Sequence, residues 1–368
     1  MTENDRKLRV AITHGDTNGI GYELIFKTFA TPEMLELCTP IVYGSPKAAA
    51  YHRKMLGLNS NFSIIHHADE ARENNLNVLA TFDDEVKIDA GVPTSASGEA
   101  ARQAIDRALA DAQAGLVDAL VLAPVDAANV PSMTGYANQI AYAADKLHKS
   151  AMNILTNDCL RIGFVTENVP LRQAVNGITL EQVRERATAL AECLKRDFRI
   201  FNPRIAVLSM NPVVASQDQQ LFDDDTTLFG PFAAKDFFAN GTFKHFDAVL
   251  AMYYEQGVVP FTMIGQENGV LFTAGLDVPC AMAAGYSTFD GAGKGESDEQ
   301  PMRNAIYLAI DAARNRANYD EPLANPLQKL YNEKPDDGER VRFTIPKKRA
   351  DRLTPEELAA RDAQEMAE

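Results

Sequence analysis

The chain has 368 residues, 46% of them hydrophobic and 24% charged, which is ordinary globular composition and enough length for two domains of usual size. Its formal net charge of −15, with no Lys/Arg stripe to offset it, repels polyanions. That argues against nucleic acid as a partner and disfavours a phosphorylated substrate unless a local basic pocket overrides the field. No apolar run approaches the roughly 18 residues of a membrane span, and residues 1–9 are polar and charged, so a cytoplasmic protein without a membrane partner is expected.

In chain order, short β-branched runs recur at Leu8–Thr13, Pro40–Tyr43, Ala119–Ala123, Leu160–Thr166, Arg204–Met210 and Asp247–Met252. Each is almost continuously apolar, the signature of strands buried on both faces. Helical patterns intervene at Ser97–Ala114 and Thr179–Phe198, the latter with Val183, Ala187, Leu190, Leu194 and Phe198 on one face and a Thr179/Gln182 capping box. Alternation of this kind predicts an α/β fold with a mostly parallel sheet, whose sites form at the carboxyl ends of strands. The segment 334–368 is charged and reads as an exposed C-terminal tail.

Two glycine-rich loops stand at such ends. Thr13–Gly21 follows the first strand and opens a helix, but its spacing is neither GxGxxG nor a P-loop; a tight strand-to-helix turn accounts for it as well as a phosphate cradle does. His14 within it is either a site residue or a hydrogen-bonded loop histidine. Gly285–Gly295 is either a ligand-approaching loop or a simple connection. The four cysteines, Cys38, Cys159, Cys193 and Cys280, have no CxxC spacing and read as reduced, mostly buried thiols. The other histidines have no metal-binding spacing, and Asp223–Asp225 reads as a solvated turn.

Several segments, in order and spanning about residues 8–330, resemble the 4-hydroxythreonine-4-phosphate dehydrogenase family, in the form found in Bacteroidetes. They are Ile12–Gly21, Ser97–Ala100, Ala123–Val125, Leu160–Thr166, Asn211-Pro212, Asp247–Tyr253 with Gln256-Gly257, and Ala292–Gly295. The resemblance implies an isocitrate-dehydrogenase-like two-domain α/β/α fold. An outer cofactor-side domain would comprise 1–130 plus 265–333, and a central dimerisation and substrate domain 131–264. It further implies a homodimer with its site in a cleft shared between subunits, and NAD on the second glycine loop at Gly285, Ser287, Asp290 and Gly293. In the family a divalent metal on the substrate oxygens assists oxidation of a secondary alcohol and then decarboxylation.

This chain departs from the family at the site. The three metal histidines are replaced by Asn168, Val213 and Tyr254, which offer a neutral amide oxygen, no donor atom, and a phenol with a reference pKa of about 10. A divalent metal is therefore not expected. The substrate motif Thr-Gly-His-Thr-Glu reads Thr134-Gly-Tyr-Ala-Asn138, bringing Tyr136 and Ala137, and the lysine beyond the Pro-Val strand end is Ala127. Thr262, Leu271 and Cys280 stand where the family's lysine, asparagine and arginine take the substrate phosphate. Losing two charge-assisted contacts, at about 1.5–3 kcal/mol each, weakens dianion binding about 10²- to 10⁴-fold. In the cofactor loop, Asp-His-Gly-Thr becomes Ala284-Gly-Tyr-Ser287, which also weakens the case for NAD. The chain thus reads as a non-catalytic homologue, pairing with itself or with an active paralogue. Two alternatives stay open: a metal-independent oxidoreductase on a less anionic substrate, for which Asp247, Tyr254 and Glu255 survive near the site, and retention of the family reaction.

Overall fold

The computed structural model describes residues 6–324, apart from 83–86, 134, 137, 148–150, 168, 211–226 and 266–267. The expected C-terminal tail, 334–368, lies outside the described residues, as do Ala137, Asn168 and Val213.

Twelve strands among the described residues form one sheet. They are β1 (Arg9–Thr13), β2 (Thr39–Gly44), β3 (Ser63–Ile65), β4 (Asn77–Ala80), β5 (Ala119–Leu122), β6 (Met152–Thr156), β7 (Arg161–Thr166), β8 (Ile205–Leu208), β9 (Leu228–Phe232), β10 (Ala248–Tyr253), β11 (Val270–Ala274) and β12 (Cys280–Ala283). Their order is β3-β4-β2-β1-β5-β12-β11-β6-β7-β10-β8-β9. The pairs β3/β4, β4/β2, β2/β1, β1/β5 and β5/β12 are parallel, as are β7/β10, β10/β8 and β8/β9. The three pairings β12/β11, β11/β6 and β6/β7 are antiparallel. The two parallel blocks therefore run in opposite directions. Carboxyl ends of β1, β5 and β12 open at one end of the sheet, and those of β7, β8 and β10 at the other.

The helices are α1 (Gly21–Phe29), α2 (Glu33–Leu37), α3 (Pro46–Met55), α4 (Ser95–Gln113), α5 (Gln139–Lys146), α6 (Leu171–Gly177), α7 (Leu180–Arg196), α8 (Ala234–Ala239), α9 (Tyr254–Gly265) and α10 (Gln300–Ala324). The α/β expectation with a mostly parallel sheet is met, and the six runs read as strands are β1, β2, β5, β7, β8 and β10. The predicted helix at Ser97 starts two residues earlier, because Thr94 caps it: Thr94 Oγ1 accepts from Ser97 N–H, and the Ser97 side chain answers with the Thr94 backbone. Thr179 caps α7 by accepting from Gln182 N–H, one of the two bonds of the expected capping box.

Apolar faces of both helix layers close on the sheet. One core joins β1, β6, β8, β10 and β11 to α1, α7 and α10; a second lies under α4 and α5, and a third under α8 and α9. α7 and α10 are joined by a buried ion pair. Arg316 Nε donates to Asp197 Oδ1 at 2.5 Å, and Arg316 Nη1 to the Leu276 carbonyl at 2.8 Å, so both charges are satisfied out of water.

Candidate functional site

The first glycine loop is a joint of the scaffold. His14 is fully buried, its Nδ1 3.0 Å from the Tyr43 carbonyl and its Nε2 3.1 Å from Thr17 Oγ1. A carbonyl only accepts, so Nδ1 carries the proton and Nε2 accepts from the threonine. Burial pushes this imidazole down to about 4, against the backbone bond that raises it, with a smaller push from His52. His14 is thus a neutral, satisfied loop histidine. Asp16 is buried as well, accepting from Asn18 N–H (2.9 Å) and Asn129 Nδ2 (3.0 Å); burial raises its carboxyl above the usual range, and nearby Asp126 adds to the shift.

The glycines of this loop admit neighbouring backbone rather than a phosphate. A Cβ on Gly21 would stand 2.0 Å from the His14 carbonyl oxygen, on Gly15 2.6 Å from that of Pro124, and on Gly19 2.6 Å from that of Thr288. The Ile20 N–H, which opens α1, already donates to the Thr288 carbonyl at 3.0 Å. The helix entrance where an anion would sit in a phosphate-binding turn is occupied by the second glycine loop.

That second loop, 284–299, leaves β12 and is strapped to α1. Lys27 Nζ donates to the carbonyls of Gly295 and Ser297, each at 2.7 Å, and Glu23 Oε1 accepts from Ser297 N–H at 2.8 Å. Gly285 and Gly293 both have positive φ, +86° and +80°, and Gly293 sits against Ala90 and Met55. Asp290 N–H donates to Ser287 Oγ. Gly285, Asp290 and Gly293 therefore shape the loop, whereas Ser287 faces an open space.

That space is a cleft of about 780 Å³ at the carboxyl ends of β5 and β12, lined on one side by Val125–Ala128, Met133, Gly135, Tyr136 and Asn138 and on the other by Ser287, Thr288 and Phe289. It brings together three positions singled out from sequence: Ala127, Tyr136 and Ser287. Among the described lining residues no lysine, arginine or histidine occurs, and Asp126 is the one charged group. Tyr136 Oη donates to Asp145 Oδ2 at 2.7 Å, which holds the ring and raises the phenol's pKa.

At the other end of the sheet, β7, β10 and β8 are neighbours, so the segments that follow them, carrying Asn168, Tyr254 and Val213, leave adjacent strand ends. Of these three, only Tyr254 falls among the described residues. It is half-buried at the start of α9, and burial, with Glu167 and Glu255 nearby, raises its phenol further. A phenol held protonated is a poor ligand for a divalent metal.

Sequence reasoning assigned no role to Glu167, between Thr166 and Asn168. Its carboxylate accepts from Asn153 Nδ2 at 2.8 Å and Asn153 N–H at 3.3 Å, and burial raises it above the ordinary glutamate range. Both of its oxygens are thus engaged by Asn153 on β6. No cluster of three His, Cys, Asp or Glu side chains able to hold a metal occurs among the described residues. The described part of the set does not fit the metal that the resemblance implies.

The positions that the resemblance assigns to a substrate phosphate, Thr262, Leu271 and Cys280, carry neutral side chains. Leu271 pairs with Met282 and Cys280 with Thr273 across β11/β12, so both side chains project from the same face of the sheet. Cys280 is fully buried and its thiol is pushed up to about 12. Thr262 is exposed on α9 beside the apolar Met263 and Ile264, which are 82% and 37% exposed. A cation is absent from all three positions. Asp247 belongs to the scaffold, its Oδ2 accepting from Arg204 N–H at 2.7 Å, and Glu255 is exposed on the first turn of α9.

Comparisons with known proteins agree with this architecture. The model of the family described as pyridoxal phosphate biosynthetic protein PdxA matches residues 36–309. The chain is 42% identical over 361 residues to a 4-hydroxythreonine-4-phosphate dehydrogenase of Bacteroides thetaiotaomicron, covering 93% of this chain and 98% of the relative. It is 30% identical over 332 residues to the enzyme of that name from Prosthecochloris aestuarii, covering 83% of this chain and 97% of that one. The crystal structure of a 4-hydroxythreonine-4-phosphate dehydrogenase from Burkholderia phymatum superposes with a TM-score of 0.68 at 26% identity, covering 84% of this chain and 99% of that one. With the family model matching most of its length and a relative this similar along nearly all of it, the chain belongs to the PdxA family of pyridoxal phosphate biosynthetic proteins.

Proposed function

We propose that this chain is a PdxA-family member that does not run the metal-assisted dehydrogenation, and that it serves as a ligand-binding or regulatory homologue. The observation that carries this is the residue set in the segments that follow β7, β8 and β10: after His148 the sequence holds a single histidine, His245, which precedes β10. An amide, a valine and a protonated phenol do not replace three imidazoles on a divalent metal. Missing cations at Ala127, Thr262 and Cys280 act in the same direction, since a phosphate dianion would meet no compensating charge there. Two features argue against NAD binding: among the described residues the cleft lining offers its pyrophosphate no basic side chain, and the α1 entrance is filled by the Thr288 carbonyl.

The two halves of the site open at opposite ends of the sheet, which favours a dimer in which a second chain supplies the other half. A copy of this chain, or a paralogue that retains the histidines, would fill that role. A second reading, a metal-independent enzyme on a less anionic substrate, draws support from Glu167 and Tyr254, both with raised pKa values near the same strand ends. Purified protein assayed for bound zinc, magnesium or manganese, for NAD binding, and for NADH production from 4-phosphohydroxy-L-threonine tests the proposal. Metal-dependent NADH production would refute it.

A further inference from the structure

The cleft at the ends of β5 and β12 has a definite chemical preference. Its one charged liner, Asp126, is exposed, with Oδ1 taken up by Ala128 N–H at 3.0 Å and Oδ2 without a hydrogen-bond donor among the described residues. Behind it lies the buried Asp16, close enough for the two carboxylates to repel one another. No lysine, arginine or histidine lines the space among the described residues; at the family's lysine position stands Ala127. The other features of the wall are aromatic and apolar: Tyr136, Phe289, Met133 and Val125. The Tyr136 ring is fixed by the bond from its hydroxyl to Asp145 and by an edge contact with Tyr142 at 5.4 Å.

A negative floor without a cation, walled by aromatic faces, repels phosphates and attracts an ammonium group attached to an apolar or aromatic body. We propose that the ligand of this cleft is a small unphosphorylated amine, its ammonium on Asp126 and its body against Tyr136 and Phe289. This rests on the reading above that the site no longer serves a phosphorylated substrate, and it assigns the class of molecule that replaces it.

The test uses the full chain and three probes of similar shape but different charge: phenethylamine, 2-phenylethanol and phenyl phosphate. Titrations followed by amide chemical shifts of Asp126, Ala128 and Ser287–Phe289 give location and affinity together. The expected result is phenethylamine binding about tenfold tighter than 2-phenylethanol, with no shift of these amides by phenyl phosphate. Asp126→Asn should remove about three- to tenfold of the phenethylamine affinity and leave the alcohol unaffected. Phenyl phosphate binding as tightly as the amine, no response of these amides to phenethylamine, or an Asp126→Asn protein that binds the amine unchanged would each overturn it. NADH turnover is measured separately: turnover sinks the non-catalytic reading, whereas its absence together with silent amides sinks only the assignment of an amine.

Discussion

Replacing His14 by glutamine should flatten the acid limb of the protein's stability. In the folded chain burial holds this imidazole at about 4, against 6.5 when exposed. The unfolded state therefore takes up a proton that the folded state refuses, and stability falls as pH drops below 6.5 until the folded site itself protonates near 4. For those two values the loss between pH 7 and pH 5 is about 2 kcal/mol. Glutamine can donate from Nε2 to the Tyr43 carbonyl and accept from Thr17 at Oε1, as the neutral histidine does, but it cannot titrate. Buried Asp16, whose raised carboxyl works in the opposite direction, is common to both proteins and cancels in the comparison. Urea unfolding of both proteins at pH 7 and pH 5 reads the difference. The wild type should lose about 2 kcal/mol more than His14→Gln, whatever the variant's baseline. Equal losses would refute the claim that His14 is a buried neutral strut.

Three other outcomes follow from the packing. Gly21→Ala places a Cβ 2.0 Å from the His14 carbonyl oxygen and should cost at least about 3 kcal/mol in chemical denaturation, whereas Gly57→Ala, with nothing nearby but a positive φ, should cost about 1 kcal/mol. Arg316→Met strands Asp197 without its buried partner and should cost about 3–5 kcal/mol; adding Asp197→Leu should recover part of that loss, and a double variant worse than the single would contradict the ion-pair account. Of the four cysteines only Cys159 is exposed, so a thiol reagent such as DTNB should modify one thiol quickly in the folded protein and the other three on unfolding; burial raises the pKa of Cys38, Cys193 and Cys280.

The parts of the fold legible in the sequence are those where one signal dominates. The strands β1, β2, β5, β7, β8 and β10 are apolar nearly throughout because helices cover both faces of the sheet. The other six carry mixed signals. β6 has Asn153 as its second residue, committed to Glu167, and β4 begins with the buried Asn77, whose amide caps the carbonyls of Pro40, Arg72 and Asn75. β3 is three residues long with Ile64 59% exposed, and β9 is an edge strand containing Gly230-Pro231. β11 and β12 sit beside a short Gly- and Pro-containing turn.

The candidate site was legible as a set of strand ends, since the Ala127, Tyr136 and Ser287 segments do converge on one cleft. What the sequence did not reveal is where the polar groups point. The glycines of Thr13–Gly21 look like a ligand turn, but they are spent on carbonyls from other parts of the chain, which no local pattern encodes. Glu167 was hidden for a similar reason: its partner Asn153 lies across β6 and β7, outside any local motif.

The central claim, that family membership persists here without the family's metal chemistry, is met most directly by one assay. Purified protein is analysed for bound metal and then supplied with 4-phosphohydroxy-L-threonine, NAD and zinc, magnesium or manganese, with NADH followed by absorbance. No stoichiometric metal and no NADH above the protein-free rate is the expected result. Stoichiometric metal with sustained NADH production would contradict the account.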